Sequence, residues 1–261
     1  MPEFKTDDGV RLRYRVQGNG ALPVIYLHGM GGDVSSWEGL WSSLNPGGYR
    51  HVALDFRGHG ASQRMPSSFT HERIARDVLH LADELGLKRF TIVGHSFGGK
   101  ISLKVAALAP DRVIGLVLIG TVGPGFVPLE REAVDSILNR SGDLEFVRQS
   151  FRSWFTVWPR PELDRWAINF AHTPAWAHRS ACEIALWTNI SSEVAGITVP
   201  TLVIAGKHDP VYGPAYQKEA VLLALPQAEF QIVNCGHGLI LECPGEIAVH
   251  CTRFMESGGR S

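Results

Sequence analysis

Long hydrophobic runs are missing: no stretch approaches the roughly 18 apolar residues of a membrane-spanning helix, which argues against a membrane protein. Cysteine is scarce as well. Cys182, Cys235, Cys243 and Cys251 form neither a Cys-x-x-Cys pair nor a zinc-finger spacing. A chain of 261 residues buries enough core to fold without disulfides, so we read the four as free thiols and expect a reducing, cytoplasmic setting. There are 11 histidines but no His-Glu-x-x-His or comparable cluster, so no metal is expected. Charge of one sign is lacking too. The 25 Lys and Arg against 26 Asp and Glu leave a net charge of -1, without the basic footprint of a nucleic-acid or anionic-membrane partner. Neither a Gly-x-x-x-x-Gly-Lys-Ser/Thr loop nor a dinucleotide fingerprint occurs, and no cofactor is expected. Residues 1–8 contain no apolar core of the kind a secretory signal needs. What remains is an ordinary globular composition, 44% hydrophobic with mean hydropathy near zero, for which a small molecule is the expected partner. The oligomeric state is open.

The most informative stretch is Phe90-Thr91-Ile92-Val93-Gly94-His95-Ser96-Phe97-Gly98-Gly99-Lys100-Ile101. It reads as a short buried strand, a very tight turn, and a helix whose apolar face runs through Ile101, Leu103, Val105 and Leu108. Gly94 and Gly98 flank Ser96 where a Cβ would strike neighbouring backbone if the serine were held in a strained conformation. Strand, sharp turn and helix around Gly-x-Ser-x-Gly are the ingredients of a nucleophile elbow. The plainer alternative is a serine that caps the helix, but a cap needs no flanking glycines. A serine hydroxyl is a poor nucleophile until a base takes its proton, so the functional reading requires a histidine, an acid and two amide donors elsewhere.

Taken in order, the chain offers places for them. Residues 10–16 alternate apolar and basic side chains, as an antiparallel edge strand would. Residues 23–27 form an unbroken apolar run delivering the chain into His28-Gly29-Met30-Gly31-Gly32. This turn is either a plain glycine-rich turn or an oxyanion loop, in which the Met30 and Phe97 amides hold a developing negative charge. A further strand at 49–54 ends in Asp55-Phe56-Arg57-Gly58-His59-Gly60-Ala61-Ser62, where Asp55, Arg57 and His59 are read as turn-forming rather than catalytic. Thr70 caps a helix with Ile74, Val78, Leu81 and Leu85 on one face and Arg73, Arg76, Asp77 and Glu84 mostly towards solvent. It stops at Gly86. Strands alternating with helices imply right-handed crossovers, a mostly parallel sheet, and a ligand site at the carboxyl ends of the strands.

Residues 122–190 differ. They hold five of the seven tryptophans, no strand-like run, and a helical periodicity broken by Pro128, Pro159, Pro161 and Pro174. We read them as a helical cap inserted after the sixth strand, between core parts at 1–121 and 191–261. Its aromatics either line an apolar pocket or pack the cap itself; the pocket candidates are His28, His95, Phe126, Trp154 and Trp187. The core resumes with the strand 199–205 and Gly206-Lys207-His208-Asp209-Pro210, then a strand at 228–233 and Asn234-Cys235-Gly236-His237-Gly238. A carboxylate just past one buried strand can reach an imidazole just past the next. The last helix runs from Pro244 to about Met255, and residues 257–261 read as a loose tail.

With Ser96, Asp209 and His237 in this order, the sequence resembles the α/β-hydrolase superfamily. The likeness covers the elbow, the oxyanion loop, the turn after the fourth strand, and the acid and base loops. It implies an eight-stranded, mostly parallel sheet with a helical cap. It also implies Ser96 as nucleophile, His237 as general base and then acid, Asp209 as its orienter, and the Met30 and Phe97 amides as oxyanion hole. A serine at the elbow argues against the haloalkane dehalogenases and epoxide hydrolases, which use aspartate there. The short loops look most like small esterases, enol-lactonases and perhydrolases, so the expected reaction is hydrolysis of a small apolar or aromatic carboxylic ester or lactone. Carbon–carbon bond hydrolases of ring-fission products are the alternative, although they usually carry Asn before the serine and Trp after the histidine, where this chain has His95 and Gly238. A ligand-sensing receptor on the same scaffold is the non-enzymatic alternative.

Overall fold

The computed structural model describes residues 1–44, 47–158 and 160–257; Pro159 and the tail beyond Ser257 lie outside the described residues. Eight strands form one sheet: β1 Glu3–Lys5, β2 Arg11–Gln17, β3 Leu22–Leu27, β4 Tyr49–Leu54, β5 Phe90–His95, β6 Val113–Ile119, β7 Thr201–Gly206 and β8 Glu229–Val233. Their order is β1-β2-β4-β3-β5-β6-β7-β8, parallel from β4 onward and antiparallel at β1–β2 and β2–β4. The alternating stretch that suggests an edge strand is therefore one place in from the edge. The edge is β1, three residues paired through Phe4 opposite Leu12 and too short to carry a pattern of its own.

The helices are α1 Glu38–Ser43, α2 His71–Glu84, α3 Phe97–Leu108, α4 Arg131–Leu138, α5 Leu144–Arg152, α6 Pro161–His172, α7 Ala175–Trp187, α8 Ser191–Val194, α9 Pro214–Tyr216, α10 Leu239–Glu242 and α11 Pro244–Glu256. None of them is long and apolar enough to cross a membrane. The central strands β5 and β7 are buried at every position, which is why their sequences are continuous rather than alternating. Successive residues still serve opposite faces. Ile25, Leu27, Val52, Leu54 and Ile92 pack with α2 and α3 on one side, while Val24, Tyr26, Ala53, Val93 and Val117 pack with Trp37, Trp41, Ile247 and Phe254 on the other.

Thr70 caps α2 by accepting the Arg73 amide at 3.1 Å, and Gly86 follows with φ +67°. Asp77, expected near solvent, is buried. With Asp8 it brackets the fully buried Arg57, whose guanidinium donates to Asp77 at 2.6 and 2.8 Å and to Asp8 at 2.7 Å. A charge cluster of this kind ties the turn after β4 to α2 and to the chain's beginning. Asp55 also serves the turn rather than the chemistry. Its carboxylate accepts the Val34 and Ala61 amides, both at 2.8 Å, and burial pushes it up to about 7.

Between β6 and β7 lie α4 to α8. Phe151, Trp154, Phe155, Trp166 and Phe170 pack on one another there with ring centroids 5.2–5.6 Å apart. This aromatic knot joins the core layer that also contains Trp37, Leu239 and Ile240.

Candidate active site

Ser96 stands at the turn between β5 and α3 with φ +53° and ψ -119°, the one positive-φ residue other than glycine among those described. Such a conformation costs roughly 1–3 kcal/mol and persists where surrounding structure dictates it. Here excluded volume dictates it. A Cβ on Gly98 would lie 2.1 Å from the Leu27 carbonyl oxygen, and one on Gly94 would lie 2.3 Å from Ser102 Oγ and 2.5 Å from the Gly98 oxygen. The elbow helix is thus pressed directly onto the end of β3. Ser96 makes no side-chain cap bond to α3, which removes the plain capping role. Its Oγ lies 3.1 Å from His237 Nε2 instead.

His237 Nδ1 is 2.8 Å from Asp209 Oδ2. The other oxygen of that carboxylate accepts the Val211 and Tyr212 amides at 2.7 and 2.9 Å. Burial works to raise the Asp209 carboxyl, but His237 and these two amides outweigh it and hold it below the ordinary carboxylate value. An ionised carboxylate only accepts, so Nδ1 carries the proton and Nε2 presents its lone pair to the serine hydroxyl. The loop bearing His237 is held from outside itself. The His237 amide donates to the Trp154 carbonyl at 2.7 Å, and His95 Nε2 donates to the His237 carbonyl at 2.9 Å. Glu242 accepts the Gly238 amide at 3.0 Å on one oxygen, and the Thr156 amide and hydroxyl at 2.7 and 2.6 Å on the other.

The glycine-rich turn after β3 comes up against this group. A Cβ on Gly29 would sit 3.0 Å from His95 Nδ1 and 3.3 Å from Ser96 Cβ. Among the described residues neither the Met30 amide nor the Phe97 amide has an acceptor, the latter because it opens α3. The Met30 carbonyl is engaged, accepting Trp166 Nε1 at 3.1 Å. Among the described residues, therefore, the amide that follows Ser96 and the amide that follows Gly29 are both without an acceptor.

The five pocket candidates divide. Trp154 stands edge-on to His237 with ring centroids 6.0 Å apart. His28 is fully buried and braces two turns: Nδ1 meets the Gly29 carbonyl at 2.7 Å while Nε2 accepts the Phe56 amide at 3.2 Å. Both of its ring nitrogens are thus taken up by backbone. Burial keeps it neutral, at about 4, and His95 likewise at about 3. His95 supports the His237 backbone through its bond to that carbonyl. Phe126 is 64% exposed, and Trp187 lies under Arg131 with its Nε1 on the Leu129 carbonyl. Phe126 thus stands at the surface, whereas Trp187 is half-buried and packs against the core beneath it.

Other residues surround the imidazole. Trp166 stacks near His237 at 6.4 Å and 28°, and Tyr212 meets it edge-on at 5.6 Å. Nothing local in the sequence marks Trp166 among the five tryptophans of its segment. Tyr212 carries a usable signal, since it follows Asp209 by three residues. A cavity of about 200 Å³, lined by Ser36, Arg160, Trp166, Asn169 and Ile240 among others, shares Trp166 with this site but none of Ser96, Asp209 and His237.

Residues 23–244 match the model of the alpha/beta hydrolase fold family, and the chain belongs to that family. Among curated relatives, the non-heme haloperoxidase of Rhodococcus erythropolis is 28% identical over 280 aligned positions, covering 98% of this chain and 100% of the relative. The dihydrolipoyllysine-residue acetyltransferase component of the acetoin cleaving system of Cupriavidus necator is 38% identical over 125 residues. That stretch is 47% of this chain, and only about a third of the relative's own length is spanned (33%). Among solved structures, the enol-lactonase from Burkholderia xenovorans LB400 superposes with a TM-score of 0.87 at 27% identity, covering 98% of this chain and 100% of that one.

Proposed function

We propose that the protein is a serine hydrolase that cleaves a small apolar or aromatic carboxylic ester or lactone through an acyl-enzyme on Ser96. The observation that carries this reading is the relay Ser96 Oγ–His237 Nε2–Asp209 at 3.1 and 2.8 Å, built on a serine held at positive φ, with the Met30 and Phe97 amides lacking acceptors among the described residues. In this reading Ser96 Oγ attacks the carbonyl carbon as its proton passes to Nε2, and the Met30 and Phe97 amides take the developing oxyanion. His237 returns the proton to the leaving alcohol oxygen; in a lactone this oxygen stays tethered to the acyl group. Water, deprotonated by the same nitrogen, then releases the acid. Asp209 fixes the tautomer and stabilises the imidazolium without taking its proton.

Residues 122–190 act as a cap over the strand ends in this proposal, with Trp154 and Trp166 supplying the apolar wall nearest the base. The similarity to an enol-lactonase over nearly the whole chain favours a compact ester or lactone, and the partner is a small molecule in the cytoplasm. The test is hydrolysis of p-nitrophenyl esters of increasing acyl length by wild type and Ser96→Ala. Turnover that falls by roughly three to six orders of magnitude in the variant is expected. Ester turnover that survives the substitution would overturn the reading.

A further inference from the structure

Two free thiols lie at the two ends of the loop that carries His237. Cys235, buried just past β8, and Cys243, half-buried at the N-terminus of α11, place their Sγ atoms 2.8 Å apart. That is nearer than ordinary non-bonded contact. Cys182 and Cys251 differ: the first packs its Sγ against Met30 Sδ at 3.9 Å, and neither has a thiol partner among the described residues. Residues 236–242, between the pair, contain both His237 and the Glu242 carboxylate that holds the loop.

We propose that Cys235 and Cys243 are a reversible disulfide-forming pair, oxidised by a hydroperoxide, whose bond closes a ring around the His237 loop and lowers turnover; the effect on turnover rests on the serine-hydrolase reading. The Cys243 thiolate attacks one peroxide oxygen, the O–O bond breaks, and the other oxygen leaves as an alcohol or, from hydrogen peroxide, as water. Cys235 Sγ then attacks the sulfenic sulfur; the S–O bond breaks and water departs with the Cys235 proton. The two thiols together lose two electrons and two protons, and the peroxide is reduced by the same two electrons. Cys243 acts first because it is half-buried, and so within reach of a peroxide, whereas Cys235 is buried. Cys235 resolves, since the neighbouring Cys243 thiol and burial hold its own thiol up.

The bond draws the sulfurs from 2.8 Å to about 2.05 Å, and the loop between them has little slack. A Cβ on Gly236 would lie only 2.3 Å from the Trp154 carbonyl oxygen, the same atom that accepts the His237 amide at 2.7 Å. Small displacements of a base by up to about 1 Å reduce rates roughly 10²-fold, so a fall of about tenfold or more is expected.

The experiment treats the full-length protein with hydrogen peroxide, alkylates the remaining thiols, and maps them by peptide mass spectrometry. The expected result is joint loss of alkylation at Cys235 and Cys243, a linked peptide lighter by two hydrogens, and full recovery with dithiothreitol. p-Nitrophenyl acetate turnover should fall and return in step, and Cys235→Ala and Cys243→Ala should each remove the reversible loss. Both thiols staying alkylatable, or Cys243 advancing to sulfinic acid with Cys235 free, would overturn the pair. A disulfide without change in turnover would overturn its coupling to His237. Absence of fluorophosphonate labelling at Ser96 in the reduced protein would count against the serine-hydrolase reading alone, because the linked peptide is detected without it.

Discussion

Ser96 and His237 sit 3.1 Å apart but owe their positions to different kinds of support. The elbow is specified by excluded volume: a Cβ on Gly94 would strike α3, and one on Gly98 would strike the end of β3. The His237 loop is specified by hydrogen bonds whose partners are distant in sequence, namely the Trp154 carbonyl, the Thr156 amide and hydroxyl reached through Glu242, and His95. Three of these four bonds end on the segment between β6 and β7. The nucleophile therefore belongs to the sheet, whereas the base is shared between the sheet and the inserted helices. Changes in those helices should reach the chemistry through His237 and leave the elbow as it is.

The largest test of that contrast is Gly98→Ala. The added methyl meets the Leu27 and His28 carbonyl oxygens at 2.1 and 2.6 Å, backbone atoms that cannot swing aside. Overpacking of this sort costs about 1–3 kcal/mol, and the displaced serine should lose roughly 10²-fold in kcat. Both the melting temperature and the rate of Ser96 labelling should drop. Gly245→Ala is the control: no atom lies within 4 Å of its Cβ position, and it is in the first turn of α11, so stability should hold or rise. Equal effects from the two substitutions would show that the elbow is not set by excluded volume.

A smaller effect is expected on the other side of the comparison. Glu242→Gln replaces an oxygen that accepts twice from Thr156 by an amide nitrogen, or else turns that nitrogen towards the Gly238 amide. One donor loses its acceptor either way, at a cost of about 1–3 kcal/mol. We expect kcat to fall about tenfold with KM nearly unchanged, and Glu242→Ala to fall further. Coupling to Thr156→Ala in a double-mutant cycle would locate the effect in this bond. Additive losses would mean that Glu242 steadies the loop by another route.

The same division explains what is legible in the sequence. Strands β3 to β8, the elbow, Asp209, His237 and the Met30 turn can be found because each rests on local pattern: buried runs, flanking glycines, a position just past a strand end. β1 cannot, since three residues carry no periodicity. Asp77 reads as solvent-facing because helical period assigns a face but does not reveal that a buried Arg57 waits on it. Phe126 and Trp187 read as pocket residues, while Trp166 escapes notice, for one reason. Which way an aromatic points around a site built from distant segments depends on contacts with residues far along the chain. Glu242, the carboxylate that joins the base loop to Thr156, belongs to the same nonlocal category.

Lys100 crosses the division and gives its smallest test. It lies on the elbow helix four residues past Ser96, yet its fully buried ammonium donates to the carbonyls of Gly125, Ala185 and Thr188 at 3.1, 3.1 and 2.6 Å, near both ends of the inserted segment. Burial pushes this amine down to about 8 from an ordinary 10.5. The unfolded chain therefore binds the extra proton between those two values, and this group's contribution to folding stability rises with pH across that window. The total gain is at most about 3 kcal/mol, and below about pH 8 the contribution is constant. Lys100→Met removes the proton-linked part. The difference in unfolding free energy, wild type minus variant, should stay flat up to about pH 8 and climb towards about pH 10. A difference that stays flat throughout would mean that the three carbonyls fully compensate the burial of the ammonium. At about pH 7 the variant should retain kcat within about threefold if Ser96 is held by its own glycines; a much larger loss would show that the elbow leans on the inserted helices after all.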